Sequence, residues 1–387
     1  MSDVTKSTQV NPSCSDFPSL QPRVCHLTSV HPRNDIRIFL KECMSLSVAG
    51  FDVRLVVGDG LGDAFIGGIQ VHDFGAKPLS RVRRIWSQSR RALAMTLSLQ
   101  PDIVHFHDPE LLPVAVKLAQ KGIRVIYDAH EDVPRQILTK GWIPRFLRPF
   151  VAMFFEYYEN RAVKKLSCVV AATPYIESRF ANLGVRAVNI NNYPMLEELL
   201  SVNGGPRRLK RICYIGCISR LRGIVSLVQA LPLVPDVRLI LCGNFSESAL
   251  EAQLQKEPGW AQVDYLGHID RGAVRRVMGE SVAGVVTFLP APNHNVSQPN
   301  KLFEYMSAEL PVIASDFPLW QKIIDDAGCG ICVNPESPSQ IAAAIRVLLD
   351  SPERVEKMGR AGRREVLSKY NWHFEARRLV ELYGDPG

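Results

Sequence analysis

The chain has 387 residues, too many for one hydrophobic core, so two or three domains are expected. Its 46% apolar and 22% charged residues are those of an ordinary soluble globular protein, and no run of about eighteen uncharged apolar residues exists to cross a membrane. The formal net charge of +7 is concentrated: residues 77–165 hold 16 Lys and Arg against 8 Asp and Glu, a local +8 that accounts for the whole excess.

Residues 1–22 are polar, lack an apolar centre and read as a disordered tail, not a signal peptide, which predicts a cytoplasmic protein. Nine cysteines suit that compartment, because Cys25, Cys168, Cys213 and Cys242 sit inside apolar runs as small hydrophobes. Cys329-Gly-Ile-Cys332 has redox or metal spacing but no second pair beside it. A first domain is expected over 23–200. A strand at 23–29 leads into a helix from His31 to Ala49, and a second strand at 51–57 ends in a glycine-rich connection at 58–63. A helix follows over about 80–99. The segment Pro101-Asp-Ile-Val-His-Phe-His-Asp-Pro then runs from a buried strand into a loop and places His107 at the strand's carboxyl edge. One β-α unit later, Arg124-Val-Ile-Tyr-Asp-Ala-His-Glu puts His130 and Glu131 on the same rim, as candidates for an acceptor side. An aromatic-rich helix over 146–166 and a strand from Cys168 complete this half.

Residues 201–210 are glycine-rich and polar, as a linker should be, and a second domain is expected over 201–370, with a closing helical segment at 371–387. Its first strand ends at Gly216, and the following turn carries Arg220 and Arg222, forked donors suited to phosphate oxygens, before a helix at Ile224. Gly243 and Asn244 end the next strand. Gly267 and His268 end another. The most informative stretch is 282–316: an apolar run, a polar loop, a short helix opened by Pro299-Asn300-Lys301, and a second apolar run. That is a β-α-β unit, whose handedness places loop and helix start at the ligand-binding edge. Proline there leaves N–H groups pointing outward, and Lys301 adds a full charge, which suits a diphosphate. Glu304, one turn further along, can accept two hydrogen bonds from a ribose diol. The pattern describes a nucleotide-diphosphate site.

The runs Pro-Asn-Lys-Leu-Phe-Glu-Tyr-Met (299–306) and Pro-Val-Ile-Ala-Ser (311–315) resemble the donor segment of the retaining GT-B glycosyltransferases of family 4, the group 1 glycosyltransferases, bacterial surface-polysaccharide type. The resemblance spans about 23–383. It implies an α/β chain of GT-B architecture: two Rossmann-like doubly wound domains facing across a cleft, with a C-terminal helix crossing back to the first. By the same resemblance Glu304 holds the ribose, His107 approaches the donor sugar, and Gly267 and His268 bound the base; Gly216, Gly243, Asn244, Ser297, Asn300 and Leu302, at strand ends, in the loop and at the helix start, are the further donor-site candidates. Two departures stand out. Val296 occupies the place of the family's first Glu, and Cys217 that of its Arg, for which Arg220 is the nearest substitute.

The expected reaction moves a glycosyl group from a nucleotide diphosphate sugar to an acceptor, with retention of configuration, with no cofactor or metal, and with Arg220, Arg222 and Lys301 stabilising the departing diphosphate. Cations interleaved with aromatics, in Arg81-Val-Arg-Arg-Ile-Trp, Arg90-Arg91 and the run 142–150, suit an anionic membrane surface on the cell's inner face and a polyprenyl-linked glycan acceptor in polysaccharide or lipopolysaccharide assembly. No nucleic-acid motif is present. A nucleotide-sugar epimerase of the same fold, or a non-catalytic nucleotide-sugar-binding protein, are the alternatives. Base, sugar, linkage and oligomeric state are not legible.

Overall fold

A computed structural model describes residues 22–76, 87–196 and 210–385. Nearly all of the predicted tail, the linker stretch 201–209 and the basic run containing Arg81, Arg83 and Arg84 lie outside the described residues.

Eight strands form the first sheet: β1 (Arg23–Leu27), β2 (Asp52–Val57), β3 (Ala64–Ile66), β4 (Ile69–Asp73), β5 (Ile103–Phe106), β6 (Arg124–Ala129), β7 (Cys168–Ala171) and β8 (Ala187–Asn189). They are ordered β3-β4-β2-β1-β5-β6-β7-β8, with only β3 and β4 antiparallel. The second sheet contains β9 (Arg211–Ile215), β10 (Arg238–Cys242), β11 (Val263–Gly267), β12 (Ala283–Val286), β13 (Val312–Ser315) and β14 (Gly330–Val333). These run parallel in the order β11-β10-β9-β12-β13-β14. Both faces of each sheet are covered, which is why β5, β7, β12 and β13 are buried along their whole length and are mostly apolar, with His105 in β5 and Ser315 in β13 as polar exceptions. Alternate residues feed opposite cores: Cys25 and Leu27 of β1 join one cluster and Val24 the other, as Cys213 and Ile212 do in β9.

Two local features differ from the sequence expectation. The helix expected from His31 starts later, at an Asp35 cap whose carboxylate accepts from the N–H groups of Arg37 and Ile38, and Ile36–Cys43 is wound as a π-helix before Met44–Val48 tightens to α. The glycine-rich connection leads into an unforeseen β3–β4 hairpin, turned by Gly67 and Gly68 at φ 55° and 84°. Strands of three and five residues carry too little alternation to announce themselves.

The last helix, Trp372–Gly384, leaves the second domain and packs on the first. Trp372, Leu379, Leu382 and Tyr383 enter the core cluster built on β1 and β2, Trp372 Nε1 donates to Ser45 Oγ at 2.9 Å, and Arg124 donates to the Leu382 carbonyl at 2.6 Å.

Candidate active site

Among the parallel strands of each sheet the order reverses once, beside β1 and β5 in the first and beside β9 and β12 in the second, and open parallel sheets bind ligands outside the carboxyl ends of such strands. The two edges face each other across a cleft of about 460 Å³. His31, Arg37, His130 and Glu131 line it from the first domain, and Gly216, Arg222 and Lys301 from the second.

The donor wall is fixed by the helix Asn300–Ser307, whose apolar side packs down on the sheet. Tyr305 is fully buried against Gly284 of β12, where any side chain would collide with the ring, and its hydroxyl accepts from the Ile215 N–H at the end of β9. This anchor sets Lys301 beside the β9 turn: its Cε is 3.6 Å from where a Gly216 Cβ would be. Arg222 stacks on the Phe288 ring at 3.9 Å, which orients its fork along the same wall. The loop between them is shaped by Trp320 Nε1 donating to the Ser297 carbonyl at 2.7 Å and by His294 Nδ1 bonding the Leu289 carbonyl at 2.9 Å. Asn293 Oδ1 is buried without a hydrogen-bond partner beside the cleft. Gly243, at φ 134°, abuts the Gly216 carbonyl so closely that a Cβ would stand 1.8 Å from its oxygen. Its role is to let the two strand ends meet.

Glu304 is buried, accepting from Lys301 Nζ at 2.6 Å and from Arg271 at 3.3 Å. Burial alone would push its carboxyl pKa up, but the Lys301 ammonium, aided by Arg271, more than offsets this and holds the pKa below the usual value. It opens onto a smaller 240 Å³ cavity shared with Asp35, Arg37, Asn192 and Asn300, residues that also line the large cleft. The carboxylate therefore lies next to the cationic pair without facing it alone.

Several sequence candidates sit elsewhere. Arg220 does not join Arg222 and Lys301: it points outward, its Nε 3.4 Å from Glu247 and its guanidinium bonded to Gln253. The reason is geometric, since in the 3₁₀ turn Arg220–Arg222 residues two apart project about 120° apart. Leu302 spends its N–H on the Pro299 carbonyl, with its side chain in the core, and so offers a ligand nothing. His268 is exposed, and neither it nor Asn244 lines the cleft. Ser297 and Asn300 do line it.

His107 also departs from expectation. It is fully buried, its Nδ1 bonds Asp128 at 2.9 Å, and its Nε2 lies 3.0 Å from His26 Nδ1, so neither nitrogen is available to a sugar. His130 takes the cleft position instead, 3.7 Å from Asp128. Burial would push the His130 pKa down, but the Asp128 charge outweighs it and raises it. Asp128 in turn is gripped by the Arg37 fork at 2.8 and 2.7 Å. Sequence reading missed Arg37, Asp128 and the His31–Asp108 pair (3.0 Å). Asp128 and Asp108 stood next to quoted histidines, which was the available signal.

Away from the cleft, the helix Arg148–Val163 turns Phe150, Met153, Phe154 and Tyr157 to solvent, each at least 63% exposed, continuing a patch from Trp142 and Phe146. Exposed Arg145, Arg161, Lys164 and Lys165 flank it. Together these residues form an exposed apolar surface with cations beside it. No helix among the described residues is long and apolar enough to cross a membrane. The Cys329 and Cys332 thiols are both pushed up to about 12 by burial, against redox or metal chemistry at that pair.

Comparison with known proteins agrees with the fold in both halves. Residues 197–365 match the family model described as glycosyl transferases group 1, and residues 40–193 the one described as glycosyl transferase 4-like domain. Glycogen synthase of Mycobacterium tuberculosis is 21% identical over 312 residues, 76% of this chain and 71% of that protein. Phosphatidyl-myo-inositol mannosyltransferase of Mycolicibacterium smegmatis is 23% identical over 291 residues, 73% and 70% respectively. Among solved structures, Anabaena HepE in complex with UDP and glucose superposes with a TM-score of 0.68 at 14% identity, over 94% of this chain and all of that one.

Proposed function

This chain belongs to the group 1 glycosyltransferases, family 4 of the GT-B fold, and on that premise we propose that it transfers a hexose from a nucleotide diphosphate sugar to a lipid-linked glycan, with retention of configuration. The observation that carries the donor reading is that Arg222 and Lys301 line the interdomain cleft while Glu304, bonded to Lys301, opens onto the smaller cavity beside it. The diphosphate takes the position beside Lys301 and Arg222, and the ribose diol competes with Lys301 and Arg271 for Glu304. HepE, a structural neighbour, binds UDP and glucose, which supports this class of donor.

Breaking the anomeric C–O bond leaves both electrons on the diphosphate. Arg222, Lys301 and the helix N-terminus meet that charge as it forms, and one well-placed donor of this kind is worth about 10²- to 10³-fold in rate. In a retaining reaction the acceptor oxygen approaches the face the diphosphate leaves, so the departing phosphate oxygen takes the hydroxyl proton. His130, with its raised pKa, binds on the acceptor side.

For the acceptor, curated relatives pull in two directions: glycogen synthase by its name acts on a polysaccharide, the mannosyltransferase on a phosphatidylinositol. The aromatic helix with its basic flank favours the lipid side, and with it a peripheral place on an anionic membrane. The test is incubation with radiolabelled UDP- and GDP-sugars and polyprenyl-diphosphate-linked glycans. Label transfer to the lipid phase is the expected result. An epimerised donor, or nucleotide binding without turnover on any acceptor, would overturn it.

A further inference from the structure

Beneath the cleft, in the core of the first domain, lies a polar cluster the transfer reaction does not use. His26 of β1, His105 of β5, His107 just after β5 and Glu42 of the π-helix are all 0% exposed, and one ligating atom from each lies within 4.8 Å of the others. His26 Nδ1 is 3.0 Å from His107 Nε2, and Glu42 Oε2 stands 3.8, 3.8 and 3.9 Å from His26 Nδ1, His105 Nδ1 and His107 Nε2. From these residues we propose a structural site for a divalent transition-metal ion of the zinc class, held by three histidine nitrogens and one carboxylate oxygen.

Three observations converge on it. Neither Glu42 oxygen has a hydrogen-bond partner, although Oε1 lies 3.2 Å from Arg37 Nε, because Asp128 takes the Arg37 fork. Arg37 thus faces Oε1 as a cation, but Oε2 stands among the three imidazoles with no donor, which is costly for a buried carboxylate oxygen unless a second cation sits there. Second, the donor set has the right chemistry and scale. Nitrogen and oxygen ligands at about 2.0–2.1 Å from a tetrahedral zinc lie about 3.3 Å apart, and the edges of this cage run from 3.0 Å to at most 4.8 Å, bracketing that spacing. Third, the surroundings are those that metal-bound imidazoles require: His107 gives its Nδ1–H to Asp128 at 2.9 Å, fixing the tautomer that turns the Nε2 lone pair inward. Tyr383 of the last helix closes the shell, its hydroxyl 2.8 Å from His105 Nδ1 and 3.5 Å from His26 Nε2, and it yields the His105 nitrogen to the ion. The π-helical winding of Ile36–Cys43 is an irregularity common where a helix serves a site. The ion ties β1, β5 and this helix together, and through His107 and Asp128 it steadies the cleft residues Arg37 and His130.

The experiment uses the full chain, expressed without a histidine tag, stripped with chelator and dialysed separately against Zn²⁺ and Co²⁺. About one ion per chain should remain by elemental mass spectrometry, and the cobalt form should show tetrahedral visible bands without a thiolate charge-transfer band. Glu42→Gln combined with His26→Gln should lower the retained ion to under about a tenth per chain while circular dichroism stays native. Wild-type protein that retains under about a tenth of either ion overturns the proposal. So does a thiolate band, or a folded double variant that keeps its metal. Should the variant fail to fold, the wild-type stoichiometry and cobalt spectrum decide alone.

Discussion

Replacing Glu304 by Gln isolates the ribose contact from the diphosphate contact. The side chain is only 10% exposed, so water does not stand in for the lost carboxylate, and the change is nearly isosteric. Hydrogen bonds to a charged group contribute about 1.5–3 kcal/mol each, and an amide keeps part of that. A net loss of about 1.5–3 kcal/mol corresponds to roughly 10- to 150-fold weaker binding of a nucleoside diphosphate. Inorganic pyrophosphate, which has no ribose, should respond differently. Glu304 holds Lys301 Nζ at 2.6 Å, so the Gln variant frees that ammonium, and pyrophosphate binding should stay equal or tighten. Titration calorimetry with UDP, GDP and pyrophosphate on wild type and variant reads both arms. A variant that binds UDP and GDP like wild type but loses pyrophosphate would refute the placement of the ribose.

Arg222→Ala should lower turnover about 10²- to 10³-fold, whereas Arg220→Ala, whose guanidinium faces Glu247 and Gln253, should change it less than about twofold. Equal losses in steady-state assays would put Arg220 back in the site. Gly243→Ala should yield little folded protein, since its Cβ meets the Gly216 carbonyl at 1.8 Å; a native melting curve would contradict the close approach described. Iodoacetamide at pH 8 should modify exposed, cleft-lining Cys217 and inactivate the enzyme unless UDP is present, while Cys329 and Cys332, with thiol pKa values of about 12, should react far more slowly. Peptide mapping checks this. Finally, Phe146→Ser, Phe150→Ser and Phe154→Ser together should abolish sedimentation with phosphatidylglycerol vesicles yet leave nucleotide binding intact; unchanged sedimentation would remove the membrane argument.

The donor half was legible because its determinants are local. Lys301 and Glu304 are three residues apart on one helix, and the strand before them and the turn after β9 are spelled in short, uninterrupted motifs. Arg220 misled because proximity in sequence was taken for proximity in space, and a 3₁₀ turn splays its i and i+2 side chains. The first-domain side was less legible for the opposite reason. Arg37 meets Asp128 across 91 positions, and what surrounds His107 includes Glu42, 65 positions earlier. A strand-end histidine looks the same in sequence whether its ring opens to a cleft or is sealed behind one.

The final helix has a consequence for anyone recombining such proteins. Residues 372–384 follow the whole second domain in the chain, yet they complete the core of the half that precedes it. A chimera joined at one point between the halves would therefore pair a foreign terminal helix with a groove shaped for Trp372, Leu379 and Tyr383. Two junctions are needed, one on each crossing of the chain, and an amino-terminal half expressed alone should aggregate through the face that helix leaves bare.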